Sequence, residues 1–119
     1  MPAEAPPLSV LWQVHDRVPG IWTDFVNRVV DSAAAVQPGD GLVITSWWRD
    51  PGTNRRVGGH PESQHLAGLA LDVSGPGWQR FGQRARANFT VVEYATHVHL
   101  QYWGPGVLRD TGLLRTLYA

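Results

Sequence analysis

The stretch from His65 to Asp72, read together with His97-Val98-His99, limits the fold more than any other part of the chain. On one continuous helix His65 and Asp72 would stand about 10 Å apart along the axis, at roughly 1.5 Å per residue, too far to share one ion comfortably. The chain is therefore expected to bend between them, and Gly68 permits the bend. With 70–73 extended, Ala70 and Asp72 face one side while Leu71 and Val73 face the core. His97, His99 and Gln101 share a face in the same way, with Val98 and Leu100 opposite. If both strands lie in one sheet, His65, Asp72 and His99 can converge. Two imidazoles and a carboxylate with a fourth position open form the ligand set expected of catalytic zinc, for which hydrolysis is the natural chemistry.

The rest of the sequence narrows the class around that pattern. The 119 residues carry ten acidic and ten basic side chains, five histidines and no cysteine. Without cysteine there is no disulfide framework, no thiolate nucleophile and no Cys-ligated metal, so a metal must be held by His and carboxylate. Every basic residue is arginine, which excludes lysine chemistry. Zero formal charge argues against a broad electrostatic grip on nucleic acid or an anionic membrane, and no basic cluster exists beyond Arg80, Arg84 and Arg86. Apolar stretches fall far short of the roughly 20 residues needed to span a bilayer. The start of the chain lacks the basic and apolar segments of a secretory signal.

Local patterns supply the elements. Residues 1–7, rich in Pro and Ala, read as a flexible tail, followed by one domain over 8–119. Apolar side chains recur with helical spacing from Ile21 to Val36, and 37–41 supplies turn residues that end the helix. Leu42 to Trp47 reads as a strand. Residues 49–64 contain too many breakers for regular structure and read as a functional loop. A short strand over 70–73, a turn at 75–77, a helix from Trp78 to Ala87 and an antiparallel hairpin from 89–94 and 98–103 follow. A short C-terminal helix within 106–119 would pack Leu113, Leu114 and Leu117 inward. The predicted fold class is α+β, a single small domain with a mainly antiparallel sheet and packed helices.

Between Ile44 and Trp103 the chain resembles a known family. Ile44-Thr45-Ser46-Trp47-Trp48-Arg49, Asn54, Val57-Gly58-Gly59, Ser63-Gln64-His65, Gly68, Ala70, Asp72 and His97-Val98-His99 are similar in order and spacing to the motifs of M15 zinc peptidases. These are D-alanyl-D-alanine carboxypeptidases and phage endolysins that cut peptidoglycan stem peptides, related in fold to the Hedgehog signalling domain. The resemblance covers about half of the chain and implies that His65, Asp72 and His99 bind Zn2+. It implies that Arg49 stabilises the developing oxyanion with fixed, permanently charged donors. Ser63 and Asn54 look like residues bracing the ligands or the loop. Many members carry a glutamate three residues before the last histidine ligand, where this chain has Thr96; Glu93, six residues before His99, matches the Hedgehog-like spacing and is the expected general base. His97 is the second candidate for proton transfer or substrate contact. Of the six tryptophans, Trp48 is the one expected to face outward at the cleft.

The implied activity is zinc-dependent hydrolysis of stem-peptide amide bonds, D-Ala-D-Ala carboxypeptidase-like or L-Ala-D-Glu endopeptidase-like. The alternative is a non-catalytic zinc-binding module of the same fold that acts in cell-wall or virion binding. Expected partners are limited to the peptidoglycan substrate, with a monomeric chain, no nucleic acid and no membrane insertion. The expected place of action is the bacterial cell wall, for a phage-encoded or secreted protein.

Overall fold

The computed structural model describes residues 20–34, 41–104, 107 and 110. The expected N-terminal tail and the turn over 37–40 lie outside the described residues, as does all but Val107 and Asp110 of the expected C-terminal helix. Within residues 20–104 the described elements are, in order, α1 (Gly20–Ala34), β1 (Val43–Ser46), α2 (Pro51–Arg56), β2 (Ala70–Ser74), α3 (Trp78–Ala85), β3 (Thr90–Glu93) and β4 (Val98–Gln101). A 3-10 turn, Gln64–Ala67, precedes β2. The sheet order is β1-β2-β4-β3 with every neighbouring pair antiparallel, so the architecture is α+β. Among the described residues no helix is long and apolar enough to cross a membrane.

Alternation in the strands decides which face is buried. Leu71 and Val73 on β2, and Val98 and Leu100 on β4, are wholly buried and meet Phe25, Val26 and Val29 of α1 and Phe81 and Ala85 of α3 in one core. Phe25 packs edge-on against Phe89, ring centroids 5.5 Å apart, which ties α1 to the start of the last hairpin. Asp72 and His99 alternate with those core residues on the opposite face, directly across from each other in the β2–β4 register. One side of the sheet thus carries the core and the other the polar groups.

Two local features depart from the sequence reading. The segment 49–64 is not wholly irregular, because α2 forms within it. Asp50 caps that helix, its Oδ1 accepting from the Thr53 N–H at 2.6 Å, and Pro51 occupies the first turn, where its missing N–H costs nothing. The breakers counted against regular structure are helix-start signals here. In β1, the register shifts between Ile44 and Ser46, and the bulge sets Ser46 rather than Thr45 opposite Asp72.

Candidate metal centre

His65 reaches the centre from the 3-10 turn. Ser63 caps that turn, its hydroxyl accepting from the His65 N–H at 3.2 Å, and Gly68 ends it in the left-handed region at φ 70°. This is the bend that His65 and Asp72 require, placed at the glycine expected to make it. Four further hydrogen bonds hold the turn against residues 47–49. The Trp47 indole N–H donates to the Gly68 carbonyl at 3.0 Å and the Trp48 indole to the Leu66 carbonyl at 3.1 Å. The Arg49 N–H donates to the His65 carbonyl at 3.0 Å, and His65 Nδ1 lies 2.7 Å from the Trp47 carbonyl. A carbonyl only accepts, so His65 Nδ1 carries the hydrogen and its Nε2 lone pair points the other way.

That lone pair faces Asp72: His65 Nε2 lies 3.5 Å from Asp72 Oδ2, and His99 Nδ1 lies 2.8 Å from Asp72 Oδ1. One ligand atom from each of His65, Asp72 and His99 falls within 4.8 Å of the others. His65 is buried, whereas Asp72 and His99 are partly exposed on the open face of the sheet. The donor set fits a metal ion: two imidazoles with a ring nitrogen turned inward, one carboxylate between them, and outward nitrogens occupied by other partners. Burial works to raise the Asp72 pKa, but the two imidazoles set against it, with His99 hydrogen-bonded to Oδ1, outweigh it and hold the carboxyl well below the usual range. Burial likewise works to lower the pKa of His99, and its bonds to Asp72 and Gln101 raise it instead.

Arg49 flanks the triad. Its Nη2 lies 3.1 Å from Ser46 Oγ and 3.9 Å from Asp72 Oδ2, and its Nη1 lies 3.3 Å from Asn54 Oδ1. Asn54, buried by α2, donates its amide to the His60 carbonyl at 2.9 Å, so its oxygen is turned toward Arg49. Gly59 makes this possible, because a Cβ there would stand 2.0 Å from Asn54 Oδ1 and 3.1 Å from Arg49 Nη1.

The structure brings together His65, Asp72, His99 and Arg49, with Ser63 and Asn54 bracing them. Trp48 is exposed at 43%. Glu93 is not brought to the triad. It stands opposite Val98, which faces the core, and its carboxylate lies 3.6 Å from Arg86 just beyond α3. Four residues, 94–97, separate that pair, and this spacing sets the parity that turns Glu93 away. His97 lies in the turn just before β4. Its ring stacks on Tyr94 at 4.8 Å, and Thr96 Oγ1 lies 3.1 Å from its Nδ1. Sequence reading missed Gln101 and Gln64 as partners of the site; the position of Gln101 on the His99 face was the available signal.

A family model described as peptidase M15 matches residues 26–101, which contain His65, Asp72 and His99 and the residues around Arg49. The chain belongs to the peptidase M15 family. No curated protein and no solved structure matches it. Membership gives the cluster a chemical context that geometry alone lacks, since the M15 family is one of peptidases.

Proposed function

We propose that this M15 peptidase is zinc-dependent and hydrolyses amide bonds in peptidoglycan stem peptides. The observation that carries the reading is the convergence of His65, Asp72 and His99 beside the clamped guanidinium of Arg49, in a chain of this family. His65, Asp72 and His99 would hold the zinc, which when bound supplies Lewis acidity and a water acidic enough to be deprotonated near neutral pH. Arg49, with two of its nitrogens engaged by Ser46 and Asn54, presents a preorganised positive charge on the open side of Asp72. Charge developing on a scissile carbonyl oxygen is stabilised by such a donor without reorganisation. His97, two residues before His99 in the chain, is the group assigned to proton transfer. Glu93 is not assigned that role, because its side chain lies on the core side and pairs with Arg86.

A second reading keeps the metal and drops the catalysis. It is favoured by one observation: among the described residues Asp72 is the one carboxylate of the cluster, and if it binds the metal no second carboxylate there can act as base. Mass spectrometry of purified peptidoglycan digested with the zinc-loaded chain, with a chelator control, separates the two. Chelator-sensitive release of D-alanine or of cut stem peptides is expected, and the masses identify the bond. Intact peptidoglycan after prolonged incubation with the zinc-loaded chain would favour the binding module.

A further inference from the structure

Two glutamines meet at one peptide unit beside the triad. Gln64, adjacent to His65 in the chain and buried, pairs with the Trp103 backbone in both directions. The Trp103 N–H donates to Gln64 Oε1 at 3.0 Å, and Gln64 Nε2 donates to the Trp103 carbonyl at 2.6 Å. Gln101, two residues beyond His99, donates its own Nε2 to the same carbonyl at 2.9 Å and turns Oε1 to His99 Nε2 at 3.1 Å. The preceding peptide is anchored too, the Tyr102 N–H donating to the Leu69 carbonyl at 2.9 Å. Trp103 is therefore a fixed point, held by the residue next to one histidine and holding the residue that contacts the other.

The chemistry of the groups then runs in one direction. A backbone carbonyl cannot donate, so the NH2 of Gln101 must face Trp103 and its oxygen must face His99. An amide oxygen only accepts, so His99 Nε2 carries a hydrogen. Nδ1 is left as the nitrogen that faces Asp72, 2.8 Å from Oδ1. We infer that Gln101, locked by the Trp103 peptide that Gln64 holds, is a positioning residue that selects Nδ1 of His99 as its metal-binding nitrogen. The same tether couples the placement of His99 to that of His65. The inference rests on the reading of the triad as a zinc centre.

The test uses the full chain and two readouts: zinc affinity by competition with a chromophoric chelator, and the ring 15N shifts of His99 by long-range proton–nitrogen NMR. Gln101→Leu keeps the bulk and removes both hydrogen bonds. It is expected to weaken zinc binding about tenfold to a hundredfold, the range typical when an outer partner of a ligand is lost. The Nε2–H pattern of His99 should give way to a mixture of tautomers. Gln101→Glu retains an acceptor for His99 but loses the donor to the Trp103 carbonyl, so it should keep the Nε2–H ring pattern while binding zinc more weakly than the wild type. Gln64→Leu should weaken binding in the same direction, and the double variant should bind no more weakly than the weaker single one, since both act through Trp103. Wild-type affinity and an unchanged ring pattern in Gln101→Leu would overturn the inference, as would a Gln101→Glu chain whose ring pattern is as mixed as that of Gln101→Leu. A wild-type chain that takes up no zinc overturns it together with the metal reading. Neither readout is turnover, so failure here is separable from failure of the peptidase reading.

Discussion

Glu93 stands opposite Val98 across the β3–β4 hairpin, and Val98 is wholly buried in the core. Its neighbour Val92, opposite His99, takes the place on the triad's face that Glu93 would need. Glu93→Gln is therefore expected to keep turnover within about twofold, the range for a surface change away from special features. His97→Gln should retain zinc and lower kcat by about 10² to 10⁴, the usual contribution of a positioned proton-transfer group. Steady-state kinetics on a stem peptide, with metal content measured for each variant, checks both. A large loss in Glu93→Gln with an unaffected His97→Gln would return Glu93 to the site.

The clamp on Arg49 depends on a residue with no functional group. Because a Cβ at Gly59 would collide with Asn54 Oδ1, Gly59→Ala must displace Asn54 and with it one support of the guanidinium. We expect kcat to fall about tenfold or more with zinc content unchanged, since a misplaced donor stabilises the developing charge less well. A parallel Asn54→Ala variant should show the same pattern. Loss of zinc together with turnover would mean that Gly59 supports the ligands rather than Arg49.

Gly68 is held at φ 70°, where side chains are strained. Gly68→Ala is predicted to destabilise the chain by about 1–3 kcal/mol and to weaken zinc binding, because the turn it ends carries His65. Chemical denaturation and chelator competition measure the two effects. Unchanged values in both would show that the bend does not need a glycine.

The metal-free chain should have a stability window set by the Asp72–His99 pair. The depressed Asp72 pKa contributes stability that is present above its unfolded value of about 3.9 and lost as pH falls. The raised His99 pKa contributes stability that is full below its unfolded value of about 6.5 and lost as pH rises through the folded value. The pair is thus most stabilising between about pH 4 and 6.5. Thermal denaturation of chelator-treated protein should show that maximum, and His99→Gln should flatten its alkaline limb. Zinc competes with the same proton, so metal affinity should rise as His99 loses it.

Much of this arrangement was legible in the residues. The bend at Gly68, the shared face of Asp72 and His99, the core positions Leu71, Val73, Val98 and Leu100, and the antiparallel hairpin all follow from alternation and turn chemistry. The features that escaped depend on register or on long-range partners. The bulge that sets Ser46 opposite Asp72 leaves no mark in β1 itself, and the side of the sheet taken by Glu93 hinges on one residue of hairpin length. The Trp47 and Trp48 indoles, read as packing or cleft groups, donate across about twenty positions of sequence to the turn that carries His65. The Gln64–Trp103 pairing spans still more, and no local pattern announces it.

The most direct measurement of the central claim is zinc stoichiometry and peptidoglycan-hydrolysing activity of the wild type beside Asp72→Ala. The account predicts one zinc per wild-type chain, activity abolished by chelation and restored by zinc, and an Asp72→Ala chain that folds but is depleted of metal and inactive. A wild-type chain without bound zinc, or an Asp72→Ala chain with full activity, would contradict it.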